Sequence, residues 1–169
     1  NIQNPYSMQY SLGIQRELSS TLMLETAFVG VRGVKLITHR MIDVPDRITG
    51  LRANPLLSAT YYVDASQQSS YSSWQTSLRK RYSLNLSGSA HYTWGKGLST
   101  QGGDSGAYYG SDGGGRIQDF YNIKGERGPS AGDITHYFVA EWVYSLPRLK
   151  DWNVLRYALG GWQASSIFK

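Results

Sequence analysis

The sequence predicts an all-β fold: a portion of an antiparallel transmembrane β-barrel with about six spanning strands. Three observations lead there. Apolar and polar residues alternate over several stretches, those stretches outlast the usual soluble strand, and the links joining them are by turns tight and long.

The first stretch, "NPYSMQYSLGIQREL", sets Tyr6, Met8, Tyr10, Leu12 and Ile14 against Ser7, Gln9, Ser11, Gly13 and Gln15. Successive side chains of a strand point to opposite faces, so this reads as one strand with an oily side and a wet side. The second, from Thr21 to Gly30, sets Leu22, Leu24, Thr26 and Phe28 against Met23, Glu25, Ala27 and Val29. In the third, Trp74, Thr76, Leu78 and Tyr82, with Lys80 among them, oppose Tyr71, Ser73, Gln75, Ser77, Arg79 and Arg81. The fourth opposes Leu86, Gly88, Ala90, Tyr92 and Trp94 to Ser87, Ser89, His91 and Thr93. The fifth, from Ile134, opposes Phe138, Ala140, Trp142, Tyr144 and Leu146 to Thr135, Tyr137, Val139, Glu141 and Ser145. The last, "LGGWQASSIFK", places Trp162, Ala164 and Phe168 opposite Gln163 and Ser165, less regularly.

Several of these alternations persist for about ten to twelve residues, where soluble strands centre on five or six. At about 3.3 Å per residue and a tilt near 45°, such a strand rises roughly 25 to 28 Å, the depth of a hydrocarbon layer. Tyr6, Phe28, Tyr82, Tyr92, Trp94, Phe138 and Tyr144 fall near strand ends, where a membrane barrel sets aromatic rings at the lipid headgroups. Leu18-Ser19-Ser20, Ser83-Leu84-Asn85 and the stretch from Pro147 to about Arg156 join strands in pairs, while 31–69 and 98–133 form two long loops. That alternation is the asymmetry of an outer-membrane barrel, short periplasmic turns on one side and long extracellular loops on the other. "TYYV", from Thr60 to Val63, reads as a strand extension inside the first loop.

Composition agrees. Thirteen Tyr, five Trp and nineteen Gly suit pleated surfaces and turns, and the absence of Cys excludes disulfides and thiolate metal sites. The net charge of +5 is spread along the chain, with one cluster at Arg79-Lys80-Arg81, so no nucleic-acid partner is expected. Lys80 falls on the oily register, where it would snorkel toward the interface. No apolar run is long enough for a transmembrane helix, and none of these residues is expected to act as a secretory signal. Six strands are too few to close a membrane barrel, so 1–169 is expected to be a single barrel segment, a fragment of something larger. A soluble or surface-attached all-β binding or adhesion protein with aromatic platforms is the alternative. It explains aromatic pairs in a core but not their concentration at strand ends.

The segments "NPYSMQYSLGIQREL", "FVGVRG", "IDVPDR", "SSYSSWQTSLRKRYS", "AHYTWGKGLS", "DITHYFVAEWVYSLP" and "LGGWQASSIF" together resemble the C-terminal barrel strands of the Oar-like TonB-dependent receptors. Members of that family carry an N-terminal carboxypeptidase-regulatory-like domain. Gly95, Gly97 and Tyr137 stand where the family usually has Ser, Ala and Arg. The resemblance implies solute uptake across the cell outer membrane, powered through TonB. The implied partners are outer-membrane lipid, the remainder of the barrel and its plug domain, the TonB complex and an unknown solute. Neither plug nor TonB box lies within these residues.

Chemistry-bearing residues are sparse. His39, His91 and His136 have no second ligand at a metal-binding spacing, so no metal or cofactor is expected. Asp133 and His136 could form a hydrogen-bonded clamp at a strand start. Glu25, Glu141 and His91 share the polar register, but nothing in the sequence brings them together, and no catalytic residue is expected. The loop "STQGGDSGAYYGSDGGGRIQD" carries Asp104, Asp112 and Asp119 without a calcium-binding repeat, and offers Tyr108 and Tyr109 as ligand contacts. In "YNIKGERGPSAGD", Lys124, Glu126 and Arg127 alternate in sign and Pro129 stiffens a turn. This segment is expected chiefly to pack the loop base. Lys124 and Arg127 are also candidates to meet an anionic solute.

Overall fold

The computed structural model describes residues 3–41, 45–46, 48–52, 54–56, 61–100, 122–147 and 161–169. They form seven strands: β1 (Tyr6–Ser19), β2 (Leu22–Met41), β3 (Tyr61–Ser83), β4 (Leu86–Ser99), β5 (Gly128–Pro129), β6 (His136–Ser145) and β7 (Gln163–Phe168). A 3₁₀ turn at Ile123–Glu126 precedes β5. The strands lie in the order β1-β2-β3-β4-β6-β7, with β5 paired antiparallel to the end of β4. Strands β1–β4, β6 and β7 correspond to the six expected, β7 being described over six residues only, and β5 is a two-residue addition.

Two boundaries differ from the sequence reading. Strand β2 runs on to Met41 and β3 begins at Tyr61, so the first long loop, expected over 31–69, is shortened at both ends. Crossing a bilayer takes about nine to eleven residues of tilted strand. At 20 and 23 residues, β2 and β3 far exceed that requirement. Where neither face meets lipid, nothing selects for alternation, but backbone pairing can continue. Within β2, Lys35 has φ +58°, a left-handed conformation typical of a bulge, and its ammonium lies 5.8 Å from the centre of the Tyr6 ring. The loop residues 101–121, including Tyr108 and Tyr109, and the link 148–160 lie outside the described residues.

The chain divides into two compact units. One comprises 1–10, 30–72 and 96–134; the other 11–29, 73–95 and 135–169. In the second unit β4 and β6 pair so that Leu86, Gly88, Ala90 and Tyr92 face Tyr144, Trp142, Ala140 and Phe138. The other set, Ser87, Ser89, His91 and Thr93, faces Val143, Glu141, Val139 and Tyr137. Strand β7 continues both sets, with Ala164 and Phe168 beside Tyr144 and Ala140, and Gln163 and Ser165 beside Ser145 and Val143. Each face read from the sequence is therefore continued across the strand pairs. Hydroxyls on the oily register are satisfied locally: Thr26 and Thr76 Oγ1 lie 3.3 Å apart.

The burial pattern is inverted relative to a water-soluble core. Among the described residues no apolar side chain is buried, while Ser73 is 2% exposed and Leu12 74%. Tyr10, Ile14, Trp74 and Trp94 are also exposed. Apolar surface on this scale needs a covering as apolar as itself.

Leu84 and Asn85 make the two-residue link between β3 and β4, with φ +51° and +63°. Both signs match a type I′ hairpin turn, whose twist suits the flanking strands. Asn tolerates this conformation and Leu does not. Asn85 also accepts from the Tyr82 hydroxyl at 3.1 Å, and Lys80 Nζ reaches Ser83 Oγ at 2.9 Å, drawn toward the turn as its oily register requires. Leu84→Asn should therefore stabilise the hairpin by about 1 kcal/mol, read as a higher urea midpoint for the assembled protein.

Candidate functional site

Within the first unit the end of the second long loop folds back onto β4. Ser130 N–H donates to Gly97 O at 3.0 Å, and the Asp133 carboxylate accepts from Gly97 N–H at 2.7 Å while pairing with Lys96 Nζ. A side chain at 97 would overlap Ser130 Oγ, so Gly97 allows this close approach. Asp133 and His136, expected to clamp the strand start together, instead each find partners on β4. Asp133 takes Lys96 and Gly97, whereas His136 Nδ1 lies 2.8 Å from the Tyr92 hydroxyl, the two rings stacked.

The anchored segment carries the two cations singled out from the sequence. Asn122 caps the 3₁₀ turn by accepting from Gly125 N–H, and Arg127 N–H closes it on Lys124 O at 3.3 Å. A 3₁₀ turn repeats every three residues, so Lys124 and Arg127 fall on one side of it. They line a cavity of about 420 Å³ together with Ile123 and with Ser66, Gln68 and Thr100 from the ends of β3 and β4. Those ends are tied to each other: Gln68 N–H donates to Thr100 Oγ1 at 2.9 Å and Thr100 N–H to Gln68 O at 3.0 Å. Arg127 Nη2 donates to Ser70 Oγ at 2.9 Å. Both cations are solvent-exposed, and neither carries an ion pair among the described residues. Ser66 Oγ is held at 2.7 Å by Asp64. The sequence pointed to Lys124 and Arg127 but not to Ser66, Gln68 or Thr100, which carry no motif and reach the site only through strand pairing.

In the second unit, Ser89 Oγ donates to Glu141 Oε1 at 2.9 Å and lies 3.0 Å from His91 Nε2. Glu141 and His91, read as unconnected, are thus joined through Ser89 on the polar face. With its one proton directed to the carboxylate, the Ser89 hydroxyl offers His91 Nε2 an acceptor oxygen, which suits the tautomer protonated at Nε2. The imidazole is then not placed to remove the serine proton, as a nucleophilic serine would require. The side chain of His39 lies outside the described residues, and the described residues contain no cluster able to hold a metal ion.

A family model described as an outer membrane beta barrel domain matches residues 1–169. The chain belongs to that family. No curated protein and no solved structure matches it. Membership supplies the apolar covering that the burial pattern calls for. The chain resides in the cell outer membrane, and its oily residues meet lipid while their sequence neighbours on the opposite face stay hydrated.

In an outer-membrane barrel the loop attachments lie outside the lipid, where ordinary aqueous energetics apply. The Asp133 side chain is 7% exposed. Asp133→Ala would leave the Gly97 N–H and the Lys96 ammonium without their acceptor, costing about 1 to 3 kcal/mol of local stability. Faster proteolytic cutting within 122–133 checks this, and Asp133→Asn, which retains an oxygen for Gly97, should fall between the two. In the first loop, Asp46 Oδ1 accepts from Thr49 N–H at 2.8 Å, Ile48 N–H at 2.9 Å and Thr49 Oγ1 at 3.1 Å. The backbone bonds, first from Thr49 and then from Ile48, hold its carboxyl below the usual carboxylate range. A lowered pKa stabilises the folded turn above the ordinary Asp value and loses that contribution as pH falls through the lowered value. Protection of the Ile48 and Thr49 amides, measured relative to their intrinsic exchange rates, should therefore persist near neutrality and be lost only in acid below the ordinary carboxylate range.

Proposed function

We propose that this chain forms barrel wall in an Oar-like, TonB-dependent receptor that takes up a solute across the outer membrane. The ordered resemblance of its strand segments to that group supports the reading. The structural observation that carries it is the basic cavity at the base of the second long loop, where a barrel receptor would meet its solute from outside. The tight links then face the periplasm and the long loops the exterior. The remainder of the barrel, the plug domain and the TonB complex are the partners this reading requires.

No catalytic role is proposed. The direction of the Ser89 proton favours a structural network in which a carboxylate, a hydroxyl and an imidazole hold β4 and β6 in register on the hydrated face. Hydrolysis of an ester probe that disappeared in His91→Ala or Ser89→Ala would overturn that view.

The transport reading is tested on the complete gene product carrying this chain, purified from outer membranes and presented to the periplasmic domain of TonB. Binding through a plug segment is the expected result. A complete protein that assembles in the outer membrane yet lacks a plug and does not bind TonB is not a receptor of this kind.

A further inference from the structure

We infer that the cavity lined by Ser66, Gln68, Thr100, Ile123, Lys124 and Arg127 is an oxyanion subsite, taking a carboxylate or phosphate group of the solute. The inference rests on the receptor reading above and narrows the class of solute.

Four observations carry it. First, the volume of about 420 Å³ lies within the range of small-molecule sites and exceeds what one inorganic ion fills, so the site suits part of an organic anion. Second, Lys124 and Arg127 converge on it because the 3₁₀ turn brings positions three apart to one side. Third, their charge is not neutralised by an ion pair among the described residues. Arg127 spends one donor on the neutral Ser70 hydroxyl, leaving most of its fork available for a bidentate contact. Fourth, the nearby carboxylates are otherwise engaged. Asp64 accepts from both the hydroxyl and the N–H of Ser66, at 2.7 and 3.3 Å, and Glu126 is not free.

The frame is also rigid where it matters. Gln68 and Thr100 lock the ends of β3 and β4 through reciprocal bonds, and the Asp133 anchor fixes the far end of the segment that carries the cations. An oxyanion entering the cavity would meet a backbone frame already held in place and an Arg127 side chain already tied to Ser70, which lowers the ordering cost of binding, while the exposed Lys124 adds charge.

The test uses the complete receptor in lipopolysaccharide-free detergent micelles, titrated calorimetrically with citrate, with inorganic pyrophosphate and with neutral glycerol. Citrate or pyrophosphate should bind with a salt-sensitive affinity and glycerol should not. Lys124→Gln, which removes no hydrogen bond of the frame, should weaken binding about tenfold. Arg127→Gln should weaken it at least as much, whereas Arg127→Lys, which keeps the charge, should recover part of the loss. Equal affinity of wild type and Lys124→Gln for the anions overturns the inference, as does anion binding that appears only when lipopolysaccharide is added, which would assign the cations to lipid phosphate. If the receptor binds TonB but no anion, the subsite fails and the receptor reading stands. If the anions bind as expected but TonB does not, the subsite stands and the receptor reading fails.

Discussion

Ala140→Arg should destabilise the assembled protein by about 2 to 4 kcal/mol, whereas Val139→Arg, one residue away, should change stability by no more than ~0.5 kcal/mol. The register explains the contrast. Ala140 pairs with Ala90 at the centre of the nine-pair ladder that runs from Leu86↔Tyr144 to Trp94↔His136. Both alanines lie on the register of Tyr92, Phe138 and Trp142, the face that meets lipid in an outer-membrane barrel. With aromatic rings toward both ends of the ladder, the Ala90–Ala140 pair is where a guanidinium has the longest reach to a headgroup and snorkels least effectively. Val139 pairs with His91 on the opposite, hydrated face, where an added charge is solvated. Unfolding by urea from lipid vesicles, followed by the loss of the folded band on unheated gels, measures both variants. Equal destabilisation by the two would mean that the faces are wrongly assigned.

The sequence carried the faces because lipid selects them. Alternation at Leu86, Gly88, Ala90 and Tyr92, and again at Phe138, Ala140, Trp142 and Tyr144, was enough to predict which residues stand together, and the β4–β6 ladder joins the same two sets. The same selection explains what was missed. "TYYV" marked the start of the extension at Tyr61–Val63, but Asp64–Ser70 reads "DASQQSS", with no alternation, because a strand whose faces meet no lipid gains nothing from an oily register. Its pairing depends on backbone bonds that leave no side-chain signature. The site was half legible for a related reason. Lys124 and Arg127 stand out as local charge in a short segment, and a 3₁₀ repeat relates them. Ser66, Gln68 and Thr100 are ordinary polar residues more than twenty positions away, and only the tie between the ends of β3 and β4 makes them neighbours. Likewise Ser89 and His91 stand two apart on one strand face, but Glu141 joins them only through the cross-strand register.

Gly88→Ala should be the most damaging of the small substitutions, with a net loss of about 1 to 3 kcal/mol. The usual expectation runs the other way, since replacing Gly by Ala inside a strand gains roughly 0.5 to 1 kcal/mol from backbone entropy. Here the added methyl would lie 2.5 Å from the Glu141 carbonyl oxygen, 3.1 Å from Trp142 Cα and 3.2 Å from Trp142 Cβ. The first two are backbone atoms of the paired strand and cannot rotate aside, so relief requires β4 and β6 to separate locally, and the clash outweighs the entropic gain. That separation also reaches the polar face, because Ser89↔Glu141 is the adjoining pair and its hydrogen bond is 2.9 Å. Gly13 provides the control. A methyl there would lie 3.4 Å from Ala27 Cβ, an ordinary contact with a side-chain atom, so Gly13→Ala should be neutral or mildly stabilising. Thermal unfolding of both variants in one lipid composition decides it. A Gly88→Ala protein as stable as wild type would show that β4 and β6 do not approach as closely as this ladder requires.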